Sequence, residues 1–124
     1  MNIEQEIIKV FPEVLVEPIV TNEFIEENQN LMEIPNEINH IKYVPSYMLW
    51  CLRKKESELV DMYTINALAE YGRSKAIDNN YLNFKHLCSP SQKNVVVSFL
   101  NWCLKELYTV EKEQIERAVK NWSK

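Results

Sequence analysis

One hundred and twenty-four residues carry a single glycine, Gly72, where average usage of about 7% would supply roughly nine; glycine-rich phosphate loops, dinucleotide fingerprints and tight β-hairpins are excluded with it, because each needs backbone that glycine chiefly supplies. The length is that of one domain, 1–124, whose core needs no disulfide or metal staple, and 46% apolar with 26% charged residues excludes disorder of the whole chain. The net charge of -4 is unevenly divided: residues 1–40 carry nine Glu against Lys9 alone, a balance of -8, and residues 41–124 carry thirteen Lys/Arg against nine Asp/Glu, a balance of +4.

In chain order, Asn2 and Gln5 stand at capping-box spacing, which predicts a helix over 3–10 with Ile3, Ile7 and Ile8 inward, stopped before Pro12. Val14 to Val20, interrupted by Pro18, reads as extended, residues 22–33 as helical, and Pro35 as the opening of one more short turn. Pro45 and Ser46 start a helix through Leu52 that ends in Arg53, Lys54 and Lys55, cations suited to the negative helix end. Ser57 caps the next helix, which carries Leu59, Met62, Ile65, Leu68 and Tyr71 inward and stops at Gly72 in a left-handed conformation, a common way for a helix to end. Residues 73–80 form a polar loop, and Tyr81 to Leu87 a short helical turn with Tyr81, Leu82, Phe84 and Leu87 inward.

Ser89-Pro90-Ser91-Gln92 places a serine cap, a proline in the first turn and a glutamine at the third helical position, and Val95, Val96, Phe99, Leu100, Cys103, Leu104 and Leu107 follow as one apolar stripe. This predicts a helix over 90–107. Thr109 caps a second start, with Ile115, Ala118, Val119 and Trp122 on one face of a helix over 110–122. The expected fold is all-α, a compact single-domain bundle of about five to six helices with a C-terminal αα unit, the acidic residues 1–40 packing on the helical body 41–124.

Few residue patterns carry chemistry. Glu37 and His40 have the Glu-x-x-His spacing of di-iron bundles, but such sites need a second pair, and Asn83 stands where His86 would need its glutamate, so the pair reads as a surface turn. His86 and Cys88 do not supply the three or four ligands of a zinc site. No metal and no cofactor are expected. Cys88 precedes a capped helix N-terminus with His86 near as a base, the one placement that favours a reactive thiol, yet no orienting acid or oxyanion donor accompanies it. Cys51 and Cys103 lie in apolar stripes, and the acidic pair Glu23 and Glu27 shares a helix face that reads as solvated. Three cysteines without a Cys-x-x-Cys pair suit a reducing compartment, Glu4 and Glu6 stand where a signal peptide would be basic, and no apolar run is long enough to span a membrane. The expected setting is the cytoplasm, with no membrane partner. Arg53, Lys54, Lys55, Arg73 and Lys75, with Lys85 and Lys93, could contact phosphates beside Tyr81, but the total charge is negative and no nucleic-acid-binding fingerprint is present. The likeness of Trp50-Cys51-Leu52-Arg53 to Trp102-Cys103-Leu104-Lys105 does not extend to the flanks and reads as chance.

Tyr43-Val44-Pro45-Ser46-Tyr47-Met48-Leu49, then Phe84, Leu87, Ser91-Gln92, Val95, Val96, Phe99 and Leu100, resemble the pattern of a family of small bacterial proteins known only as a domain of unknown function. That pattern is an aromatic-hydrophobic-proline-x-aromatic segment, a variable helix, and a leucine, polar turn and glutamine leading into a Phe-Leu helix. The resemblance covers residues 41–107 and implies an all-helical cytoplasmic protein with no assigned activity and no catalytic residue. The function expected from the residues themselves is a non-catalytic protein-interaction module, binding itself as a homodimer or a basic partner in an inhibitor- or immunity-like role. The alternatives are a small thiol-dependent enzyme or redox sensor using Cys88 and a nucleic-acid-binding accessory protein. Tyr43, Pro45, Tyr47, Trp50, Arg73 and Lys75 are the candidate partner-binding residues, aromatics and cations of the kind that anchor interfaces.

Overall fold

A computed structural model describes residues 2–16, 20–34, 40–53, 58–107 and 111–124. Among them are eight α-helices and no strand: α1 (Ile3–Val10), α2 (Glu13–Val16), α3 (Asn22–Glu27), α4 (His40–Arg53), α5 (Glu58–Arg73), α6 (Phe84–Leu87), α7 (Pro90–Glu106) and α8 (Lys112–Trp122), with a 3-10 turn at Leu31–Glu33. The fold is all-α, as expected.

Helix starts with reciprocal caps are where the sequence says. In α1 the Asn2 side chain accepts from the Gln5 amide at 2.8 Å while Gln5 accepts from the Asn2 amide, and in α7 Ser89 and Gln92 do the same, with Pro90 in the first turn. Gln92 has a further use: its amide nitrogen donates to the Val10 carbonyl at 2.9 Å, tying the C-terminal end of α1 to the N-terminal end of α7. With Ile3 beside Trp102 and Lys105 at the other end, α1 runs antiparallel along α7.

Four local expectations are corrected. Val14 to Val20 is not extended where it is described, since Glu13–Val16 is a helical turn packed on α4. Residues 22–33 break at Asn28, whose side-chain amide donates back to the Phe24 carbonyl, and a new 3-10 turn starts at Asn30, whose side chain accepts from Met32. Pro45 does not start its helix: α4 begins at His40, and the proline sits buried in its second turn. Proline costs the backbone bond to the residue four before it, but burial of His40 and Val44 extends the helix upstream of it. Helix α8 begins at Lys112 with Glu111 at the cap position and no side-chain cap bond. The proposed caps Thr109 and Ser57, the turn at Pro35, and Lys54 and Lys55 lie outside the described residues.

Two more corrections concern facing. On α5, Ile65, Leu68 and Tyr71 are buried as expected, but Leu59 and Met62 are exposed, and the buried face takes in Val60, Asp61, Thr64 and Ala67 instead. This helix lies against α4 and α8 at once, so its buried arc is wide and includes polar residues that an apolar stripe cannot anticipate. In the 81–87 segment Phe84 is fully buried, whereas Tyr81 and Leu87 are each 52% exposed.

Gly72 does not end its helix in a left-handed conformation. It lies inside α5, no described residue has a positive φ, and a Cβ added there would stand 2.6 Å from Trp122 Cδ1 and 2.7 Å from Trp122 Nε1. The glycine is there because an indole ring is there. Trp122 is itself pinned, its ring N–H donating to the Leu68 carbonyl at 2.8 Å.

At this end of the bundle the helices converge on one ring. Phe84 on α6 lies within 5.6 Å of Tyr71 on α5, 5.8 Å of Trp122 on α8, 6.1 Å of Phe11 after α1 and 6.3 Å of His40 on α4, centroid to centroid. The acidic N-terminal segment packs on the body through α1, and at the far end Glu4 pairs with Arg53.

Candidate interaction surface

The expected partner-binding residues divide into two groups. Pro45, Tyr47 and Trp50 belong to the core, Tyr47 fully so: its hydroxyl donates to the Asn28 carbonyl at 2.5 Å, which fastens α4 to the end of α3. Burial raises the Tyr47 hydroxyl above the usual phenol range, with Tyr43 adding to the rise. Tyr43 is half-buried, its ring 5.6 Å from Phe24. These aromatics hold α3 on α4. Arg73 and Lys75 are exposed, Arg73 paired with Glu70.

Those two cations stand where α5 gives way to the segment leading into α6. Between α5 and α6 the chain exposes Ile77 (64%) and Tyr81 (52%), and α6 exposes Leu87 (52%). The segment is held by specific bonds: Asn83 donates to the Ile77 carbonyl at 3.2 Å, Asn79 accepts from the Tyr81 amide at 2.9 Å, and His86 Nε2 lies 2.9 Å from the Ser74 carbonyl. Lys85 donates to the Gly72 carbonyl at 3.2 Å and the Asn121 carbonyl at 2.7 Å, so one ammonium serves the negative ends of α5 and α8. Burial draws the Lys85 pKa below the usual lysine range, and the nearby Lys93 and Lys124 draw it further. Lys93 and Lys124 thus stand near Lys85, and residues 73–93 carry the cations Arg73, Lys75, Lys85 and Lys93 against the exposed Asp78, beside three outward apolar side chains and with Phe84 and its ring partners buried beneath them. A lone isoleucine in the polar run 73–80 was the available signal for Ile77; Leu87 gave none, because a single helical turn does not reveal its facing.

The chemical candidates fare differently. Burial pushes the Cys88 thiol up to about 12, against the downward pull of Lys93 and of the helix N-terminus that follows. Cys51 and Cys103 are fully buried; burial raises Cys51 well above its ordinary value, and the Asp61 carboxylate and Cys103 raise it further. Iodoacetamide at neutral pH is therefore expected to label the folded protein at least about a hundredfold more slowly than free cysteine, with all three thiols becoming reactive in denaturant; rapid stoichiometric labelling of native Cys88, read by mass spectrometry, would contradict this.

His40 is no surface turn. It is buried, its ring 5.4 Å from Tyr71, and its Nδ1 makes no hydrogen bond. Burial lowers its pKa from 6.5. A folded-state pKa below the unfolded one means that His40 favours the native state fully above pH 6.5 and that this contribution declines as the pH falls through that value toward the folded pKa. Urea denaturation is expected to show lower stability at mildly acidic pH than at neutral pH, with a smaller loss in His40→Leu; an equal loss in both proteins would exclude His40 as the source. Glu37 lies outside the described residues, and among those described no group of three or more His, Cys, Asp or Glu is arranged to hold a metal ion.

Of the proposed phosphate-contacting cations, Arg53 is engaged by Glu4 and Arg73 by Glu70. No helix among the described residues is long and apolar enough to cross a membrane. Two shallow grooves of about 270 and 310 Å³ run along the seam of α1 and α7, sharing Glu6. No protein-family model matches the chain, and neither a curated protein nor a solved structure is significantly similar to it.

Proposed function

We propose that this protein is a non-catalytic protein-interaction module and that it binds through the end of the bundle formed by the 74–83 segment and α6. The observation that carries the reading is the outward placement of Ile77, Tyr81 and Leu87 in a stretch whose charged residues are mostly cations. Three large apolar side chains within eleven residues, each more than half exposed, gain nothing for the isolated fold. An apolar centre with a polar rim is the anatomy of a protein interface. The segment is held in shape by side-chain bonds from Asn79, Asn83 and His86, so a partner meets a surface already ordered, which lowers the entropic cost of binding.

The test is affinity capture from an extract of the cells that make the protein, comparing the natural chain with the triple variant Ile77→Ser, Tyr81→Ser, Leu87→Ser. All three positions are exposed, so the variant is expected to keep its thermal midpoint within a few degrees. The natural chain should retain a specific protein that the variant loses. Recovery of the same proteins by both chains would overturn the reading.

A further inference from the structure

The module reading leaves the occupant of the cationic end open, and the inference drawn here rests on that reading. The surface that complements it is on the same chain. Helix α3 exposes Glu23, Glu26 and Glu27, and α2 exposes Leu15 at 68%, the most exposed large apolar side chain among the described residues. Both helices are packed on α4, α2 directly and α3 through Phe24 against Tyr43 and the Asn28 carbonyl against Tyr47. The exposed charges of α3 are all carboxylates, whereas residues 73–93 carry four cations against Asp78, and each region has apolar side chains turned outward on its own helix or on a helix sharing its α4 support.

The separation of charge along the chain, -8 over residues 1–40 and +4 over 41–124, has two ways of being neutralised. Within one molecule, α1 uses Glu4 on Arg53. The carboxylates of α3 make no ion pair among the described residues, and neither does Lys75 beside Ile77. Opposite charges and matching apolar groups thus remain turned outward on two different faces of one protein.

We propose that a second copy of this chain occupies the cationic end, placing the α3 carboxylates and Leu15 of one molecule against Lys75, Ile77, Tyr81 and Leu87 of the next. Contact between two different faces closes only if the geometry repeats to a ring or if both contacts are made at once about a two-fold axis; otherwise it continues as a chain. In each case the contact is electrostatically steered, and exposed ion pairs weaken as salt shortens their range.

The experiment is sedimentation velocity on the full chain at about 50 mM and about 500 mM salt, with two variants. One carries Lys75→Glu and Ile77→Ser, which alter the basic end and leave the acidic face. The other carries Leu15→Ser, Glu26→Lys and Glu27→Lys, which alter the acidic face and leave the basic end. All five positions are exposed, and circular dichroism checks that each variant is folded. The natural chain is expected to self-associate at low salt, at least tenfold more weakly at high salt. Each variant alone should associate at least tenfold more weakly than the natural chain, and an equimolar mixture of the two should recover association, because it unites one intact end with one intact face.

A mixture no more associated than its components would overturn the proposal, as would a natural chain that is monomeric at low salt. If the natural chain is monomeric but capture of another protein still depends on Ile77, Tyr81 and Leu87, the second copy is excluded and the module reading stands. A single-stranded oligonucleotide bound by the monomer at low salt, and released by Lys75→Glu, would overturn the proposal in favour of a phosphate ligand.

Discussion

Replacing Phe84 with alanine is expected to destabilise the protein by about 3–5 kcal/mol, a large share of the stability of an ordinary domain. The ring is fully buried and meets the rings of Phe11, His40, Tyr71 and Trp122 together, so its removal opens a cavity where the end of α1 meets α4, α5 and α8. Helix α6 is a single turn and cannot repack as a longer helix would; it stays in place because Phe84 is inserted and Lys85 holds two helix ends. Leu87, three residues on, is 52% exposed, and Leu87→Ala should change stability by about 0.5 kcal/mol or less. Urea denaturation of the two variants checks the contrast. Similar losses for both would mean that α6 does not use Phe84 as its anchor.

Gly72→Val should cost about 3 kcal/mol and Gly72→Ala about 1–3 kcal/mol, the range for overpacking a filled interior. Alanine is ordinarily the better helix former by about 1 kcal/mol, so at most helical glycines the sign would be reversed. Here the new methyl would lie 2.6 Å from a ring carbon that the Leu68 carbonyl and the Phe84 ring keep from moving aside. The cause can be isolated with a double-mutant cycle. In a Trp122→Leu background the indole edge is gone, and Gly72→Ala should become neutral or stabilising by up to about 1 kcal/mol. If Gly72→Ala destabilises equally in both backgrounds, close approach of the indole is not the reason for glycine at this position.

Gly72 also marks where sequence reasoning stops. Its position near the end of a helix was legible, and the left-handed ending that usually goes with such a position was the natural inference; the need for glycine comes instead from a residue fifty positions away. Pro45 behaves alike. A proline at the first helical position is a local rule, and burial of His40 and Val44 overrode it by extending α4 five residues upstream. Tyr47 and Trp50 carry the composition of an interface and are used internally, because a helix-rich core built around α4 takes the large rings that lie on its buried face.

The proposed interaction surface was half legible. Arg73 and Lys75 were legible as cations of a polar loop beside Tyr81, whereas the outward facing of Leu59, Met62, Tyr81 and Leu87 was not, since all four fit an inward pattern over so few turns. Facing in a short helix depends on which neighbours close over it, and periodicity over one or two turns does not specify that.

By itself the sequence determined the helical class, the single-glycine exclusions, the reciprocal caps of α1 and α7 and the split of charge between the first forty residues and the rest, all of which depend on residues within a few positions of one another or on composition. The tertiary structure decided what those elements enclose: that Phe84 meets rings from four other elements, that an indole leaves no room for a methyl at Gly72, that all three cysteines are buried, and that Ile77, Tyr81 and Leu87 face outward. Each of these follows from which surfaces meet across long separations in the chain, and short-range spacing carries no record of that.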